Sequence, residues 1–188
     1  METFYKVLNV DGATYYGGTG KWYLPVGKRP AKWMPRIPPP LKPCERGYHI
    51  LKREQLVQWI GPAIFTVEPN GGQVWQGDKG VCERARLLTP LRNWNEQTAR
   101  LFACDCAASV IPLMEEERSA NAIRVSRRYA FGLATLDELA AARAAAWDAA
   151  WDAARAAAWA AAWVNQTNRL FKYLDGKVDL EAIRKSVA

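Results

Sequence analysis

Between Lys21 and Arg53 the chain interleaves cations with rings: Lys21-Trp22-Tyr23, Lys28-Arg29, Lys32-Trp33, Arg36, Lys42, Tyr48 and Arg53. The stretch holds nine basic residues against one acid, Glu45, a local charge of +8. Ammonium and guanidinium groups meet phosphate, and aromatic faces stack on bases at about 1–3 kcal/mol per base. The pattern points to an anionic, base-containing ligand: a nucleotide, a cyclic oligonucleotide or single-stranded nucleic acid. The expected ligand contacts are Lys21, Trp22, Lys28, Arg29, Lys32, Trp33, Arg36, Tyr48, His49 and Arg53. The competing reading is a Pro-rich loop whose rings anchor it to a sheet and whose charges are solvated.

Other reactive groups are sparse. His49 is the single histidine, and as a general base it would need Glu68 or Asp78 brought beside it by the fold. With Tyr48 adjacent, His49 and Glu68 make a candidate centre for a small transferase of the ADP-ribosyl-transfer type or for a nuclease. Gly17-Gly18-Thr19-Gly20-Lys21 suggests a phosphate loop, but that motif needs Gly where Tyr15 stands and Ser or Thr where Trp22 stands. It reads as a turn. Cys44 and Cys82 stand alone, and Cys104 and Cys106 point to opposite sides of a helical pattern. No paired zinc spacing results, so neither metal nor cofactor is expected, and the cysteines read as small hydrophobes in a reducing compartment.

The elements that must position these groups fall into two halves. Phe4–Leu8 reads as a strand, the Asn9-Val10-Asp11-Gly12 segment as a turn, and Ala13–Tyr16 as a strand that pairs back. Seven prolines between Pro25 and Pro43 exclude helix and central strand, leaving a long extended loop, in part polyproline-like. Lys52–Ile60 fits a short helix stopped by Gly61-Pro62. Ala63–Glu68, Gln73–Gln76 and Val81–Leu88 read as strands, with a turn at Pro69-Asn70-Gly71-Gly72.

From Thr89-Pro90 onward the pattern is helical. Thr suits an N-cap and Pro a first turn, so a helix is expected from there towards Pro112. A second helix is expected at about Asn121–Phe131, stopped by Gly132. Thr135-Leu136-Asp137-Glu138 is a capping box. It opens a tract in which 16 of the 25 residues from Leu139 to Trp163 are alanine. No breaker follows before Asp175-Gly176, which predicts one helix over about 136–174, roughly 60 Å long. Asp179 caps a last helix, Leu180–Val187. Trp147, Trp151, Trp159 and Trp163 share a four-residue frame that drifts about 40° per step. Such a sweep suits wrapping by other helices or pairing with a second copy, so these four tryptophans are the expected packing and homo-oligomer contacts.

The expected fold class is therefore α+β. A small, mainly antiparallel sheet domain with one short helix occupies residues 1–88. An all-α module with one very long Ala-rich helix occupies 89–188. The basicity sits in the first part: 13 Lys and Arg against 7 Asp and Glu in residues 1–88, a net of +6, and 13 against 12 in 89–188, a net of +1. The opening METFYKVLNV carries Glu2 and Lys6, so no secretion signal is expected. The alanine tract is interrupted by Arg143, Asp148, Asp152 and Arg155, so no membrane span is expected. The expected location is the cytoplasm.

Two stretches resemble known families. Gly17-Gly18, Gly20-Lys21-Trp22, Cys44-Glu45, Gly47-Tyr48-His49, the Trp59 to Glu68 strand region and Asp78-Lys79 resemble a domain of unknown function common in phage and prophage proteins. Trp94-Asn95-Glu96, Ala99-Arg100-Leu101, Asp105-Cys106-Ala107, Pro112-Leu113, Ala122-Ile123 and Arg127-Arg128-Tyr129, followed by an Ala/Arg/Trp tract, resemble a helical module of the immunity-protein type. The resemblance implies a phage-type accessory protein acting in the host cytoplasm, and it brings no catalytic residues. The leading expectation is a non-enzymatic protein that sequesters an anionic nucleotide-like ligand, as in counter-defence. The alternatives are an immunity-like inhibitor that docks on a toxin or host enzyme through the long helix, with a host protein as its candidate partner, and an enzyme centred on His49.

Overall fold

The computed structural model describes residues 2–109, 117–153 and 159–188, with side chains described outside 145–153 and 159–163. The chain divides into two compact units, Met1–Trp94 and Asn95–Ala188. The fold is α+β, with a small antiparallel sheet in the first unit and helices in the second.

The first unit is built on β1 (Phe4–Leu8), β2 (Tyr48–Ile50), a 3-10 helix (Arg53–Trp59), β3 (Ala63–Gln76) and β4 (Lys79–Pro90). All neighbours are antiparallel, in the order β1-β3-β4-β2. Just past β2, Leu51 exchanges two backbone hydrogen bonds with Tyr5, at 2.8 and 2.9 Å. The outer strands therefore meet, and the sheet closes on itself. Closure removes the exposed edges that a four-stranded sheet would otherwise present. Leu8, Ile50, Val67, Cys82, Ala85 and Leu87 fill the interior, with Trp22 and Met34 closing it from the connecting segments.

β3 runs unbroken through Pro69-Asn70-Gly71-Gly72, where the residue types predict a turn. The ladder instead shifts register between Asn70 and Gln73, a bulge that Gly71 makes possible at φ 82°. A Cβ on Gly71 would come within 2.8 Å of Glu83 Oε2, so the bulge needs glycine on steric grounds as well.

The Pro-rich segment is tied down rather than looped out. Ala31, Met34 and Ile37 donate their N–H groups to the carbonyls of Leu87, Ala85 and Glu83 at 2.8, 2.9 and 2.8 Å. These donors recur every third residue, the period of a polyproline II helix. Pro35 falls between them and Pro30 and Pro38 flank them, at positions where no donor is required, and Ala31 and Met34 are buried. The segment is a strap along β4, and its low-entropy backbone costs little to hold there.

The division after Trp94, rather than after Leu88, has a clear cause. Thr89-Pro90 does not start a helix but completes β4, with Phe65 opposite Pro90. Leu91 N–H then bonds Ile64 O at 2.8 Å, and Trp94 Nε1 donates to Gly61 O at 2.9 Å. Sheet pairing overrides the local capping preference. The first helix, α1 (Glu96–Ala108), is capped by Asn95, whose side chain accepts from Thr98 N–H at 3.0 Å.

The second unit holds α1, α2 (Glu117–Ala130), α3 (Leu136–Ala153), α4 (Trp159–Leu174) and α5 (Leu180–Val187). The Thr135–Glu138 capping box and the Asp179 cap form as their sequences predict. Residues 154–158, which the alanine pattern makes the middle of one long helix, lie outside the described residues, as does Pro112. α1 packs on α2 and α4, and α2 on α3 and α5. Their joint is Asp105. Arg127 Nη2 and Tyr173 Oη donate to its carboxylate at 2.8 and 2.6 Å, and Arg169 Nη1 donates to its carbonyl at 2.8 Å. Burial, then the bond to Asp105, raises the Tyr173 phenol well above its usual range, so it stays a donor. Among the described residues no helix is long and apolar enough to cross a membrane.

Candidate functional site

A lysine in a strand of otherwise apolar residues places the site. Phe4, Lys6 and Leu8 share one face of β1, because strand side chains alternate. Leu8 is fully buried and Phe4 packs against the same core, so Lys6 is carried inward and is 9% exposed. Its ammonium lies 5.0 Å from the centroid of the Trp22 ring. Among the described residues no carboxylate pairs with it. Burial without a counter-ion disfavours the charged form and pulls the Lys6 pKa down to about 8; the nearby Cys82 opposes this weakly.

Lys6 lines a cavity of about 350 Å³ in the first unit. Its cationic and polar wall is completed by His49, Lys79 and Cys44, and its aromatic wall by Tyr15, Tyr16 and Trp59. The Tyr15 and Tyr16 rings meet edge to face at 4.8 Å, and Tyr16 meets Trp59 likewise at 5.0 Å. Tyr16 Oη is anchored on Ile60 O, and Trp59 Nε1 on Asp78 O at 3.0 Å. Tyr15 lies against Gly61, where an added Cβ would stand 2.8 Å from its ring. Thr14 Oγ1 donates to Gly18 O and so holds the Gly17-Gly18 turn in the cavity lining.

The charges at the wall are held in definite states. Lys79 sits 4.4 Å from the Trp59 centroid and 3.1 Å from Asp78 Oδ2. Burial works against its charge, but the hydrogen bond to Asp78 and the charge behind it outweigh that and raise its pKa. Lys79 is a permanent cation. His49 is the reverse. Burial first, then the charges of Lys6 and Lys79, push its pKa down to about 4, with Asp78 opposing. The ring is neutral at physiological pH, and its Nε2 accepts the Cys44 N–H at 2.9 Å. That bond helps hold Cys44 at φ 68°, a left-handed conformation that costs a non-glycine residue roughly 1 kcal/mol.

The residues singled out by composition are mostly used elsewhere. Of the expected ligand contacts, His49 lines the cavity and the others do not. Trp22 is buried in the core, edge-on to Tyr48 at 5.3 Å. Tyr48 Oη donates to Pro35 O at 2.8 Å, and Arg36 pairs with Glu83 at 2.6 Å, both pinning the strap. Trp33 lies under Arg84 and Arg86, at 5.2 and 4.6 Å from its centroid. Lys21 pairs with Asp11 at 3.2 Å, and Arg53 opens the 3-10 helix. Lys28, Arg29 and Lys32 are exposed on the strap and its approach. Glu68 holds Arg86 at 2.7 Å and Asp78 holds Lys79, so neither carboxylate serves His49 as a hydrogen-bond partner. Cys82 and Cys104 are buried and Cys106 partly so, whereas Cys44 is exposed, against the expectation of a small buried hydrophobe. The four tryptophans Trp147, Trp151, Trp159 and Trp163 have side chains outside the described ones.

The cavity residues left out of the composition-based set carry weak signals of their own. Lys6 interrupts an apolar strand at an inward position. Tyr15-Tyr16 stands directly before a Gly-Gly turn, where large rings have no strand or helix face to cover. Comparison of the chain with protein-family models, with curated proteins and with solved structures finds no match.

Proposed function

We propose that the first unit is a non-enzymatic binding domain that captures a small anionic, ring-bearing ligand of the nucleotide type. The ligand's ring packs among Tyr15, Tyr16 and Trp59, and its anionic group meets Lys79 and Lys6. The observation that carries this reading is Lys6 itself. A buried ammonium without a carboxylate partner destabilises the fold, and an anion arriving in the cavity supplies the missing counter-charge. His49 is a neutral wall residue, so the positive charge facing such a ligand comes from Lys79 and Lys6.

Ligand pockets usually span roughly 300–1,000 Å³. At about 350 Å³ the cavity is at the small end, which favours a single nucleotide over a cyclic oligonucleotide. The test is calorimetric titration with nucleoside mono- and diphosphates and cyclic dinucleotides. Mononucleotide binding that is weakened in Lys79→Met, but kept when Lys28, Arg29 and Lys32 are all changed to Ala, is the expected result. Binding that instead disappears with the Lys28, Arg29 and Lys32 changes moves the site to the strap and overturns the reading.

A further inference from the structure

We infer that Lys6 is a nucleophilic amine placed to condense with the carbonyl of a small anionic, ring-bearing aldehyde held in the same cavity. The inference rests on the proposed binding reading and adds covalent chemistry to it.

Placement comes first. β1 delivers the Lys6 side chain inward beside the Trp22 face, with no carboxylate to fix it as an ammonium, and the residue lines a cavity large enough for a small molecule. Lys79, held charged by Asp78, lines the same cavity and can bind the anionic end of such a ligand. The three rings give the aromatic body a wall. The groups whose charges bear on Lys6 are His49, which is neutral, and Cys82, whose buried thiol is pushed up to about 11 and stays protonated. Neither supplies a lasting anion that would lock the amine in its protonated form.

Reactivity follows from that environment. Only the neutral amine has a lone pair to give. With its pKa near 8 instead of 10.5, Lys6 has a roughly 300-fold larger neutral fraction at pH 7 than an ordinary lysine. A less basic amine is also a weaker nucleophile. If the Brønsted slope of about 0.4–0.5 known for thiols applies, the net advantage is roughly 20-fold. The Nζ lone pair forms a bond to the carbonyl carbon, and the carbonyl π pair moves to oxygen, giving a carbinolamine. The two amine protons then leave with that oxygen as water, and a carbon–nitrogen double bond remains. Nothing is oxidised or reduced, and no further reactant is needed.

The test uses the full chain and pyridoxal 5′-phosphate as probe, with borohydride reduction and peptide mapping by mass spectrometry. Pyridoxine 5′-phosphate, which lacks the aldehyde, reports binding alone. The expected result is labelling of Lys6 roughly 20-fold faster than of exposed lysines such as Lys28 and Lys32, with a rate that rises to half its maximum near pH 8. Lys6→Arg removes the label from a folded chain, while Lys28 and Lys32 are labelled at their wild-type rates. Labelling confined to exposed lysines, with pyridoxine 5′-phosphate still bound by the wild type and bound more weakly by Lys79→Met, overturns the covalent inference and leaves the binding reading standing. Absence of both labelling at Lys6 and binding overturns both.

Discussion

Replacing Lys6 by Met should make the protein more stable below pH 8 while weakening ligand capture. The ammonium's pKa falls from 10.5 to about 8 on folding, which corresponds to a penalty of about 3 kcal/mol on its charged form. Its cation–π contact with Trp22 returns about 1 kcal/mol of that. Met fills nearly the same volume without a charge, so a gain of about 2 kcal/mol is expected at pH 6. The folded pKa is the lower one, so between pH 8 and 10.5 the unfolded chain binds more protons and wild-type stability rises with pH. The variant's advantage is therefore full below pH 8 and shrinks as pH climbs towards 10. Urea unfolding at pH 6, 8 and 10, followed by tryptophan fluorescence, measures it. A variant less stable than wild type at pH 6 means that Lys6 already has a counter-charge, and an advantage that does not change with pH means that folding does not shift its pKa; either result refutes the reasoning.

Three further outcomes follow from the geometry. His49 binds its proton only near pH 4 in the folded state and near 6.5 when unfolded, so it removes stability as pH falls through that window; His49→Gln should show a flatter stability profile between pH 6.5 and 4 than wild type in urea titrations. Ile37→Pro deletes the N–H bonded to Glu83 O and should cost about 1–3 kcal/mol in chemical denaturation, whereas Lys32→Pro, between the strap's donors, should be nearly neutral. Asp105→Ala leaves Arg127 and Tyr173 without their shared acceptor and should destabilise the helical unit by about 2–4 kcal/mol, read as loss of helical circular dichroism at lower denaturant.

How far the sequence carries depends on how local each signal is. The Thr135–Glu138 box, the Asp179 cap and the stop at Gly132, with φ 69°, are settled within a few residues and are legible directly. The start of α1 is not, because Thr89 and Pro90 are claimed by strand partners more than twenty residues away. The basic strap is ambiguous for the same reason. Glu83 and Asp11, which neutralise Arg36 and Lys21, lie 47 and 10 positions from their partners. A local charge count cannot see them. Conversely, Lys6, His49 and Lys79 are scattered over three strands, and only closure of the sheet brings them to one cavity. The period-three spacing of Ala31, Met34 and Ile37 is present in the sequence, yet it gains meaning only once β4 offers the matching carbonyls.

Native mass spectrometry with added nucleoside monophosphate tests the central claim most directly, applied to the wild-type chain and to Lys6→Met and Lys79→Met variants shown to be folded. The account predicts one ligand per first unit in the wild type, weakened in either variant and lost when both changes are combined. Equal ligand occupancy in the wild type and the doubly substituted chain contradicts it.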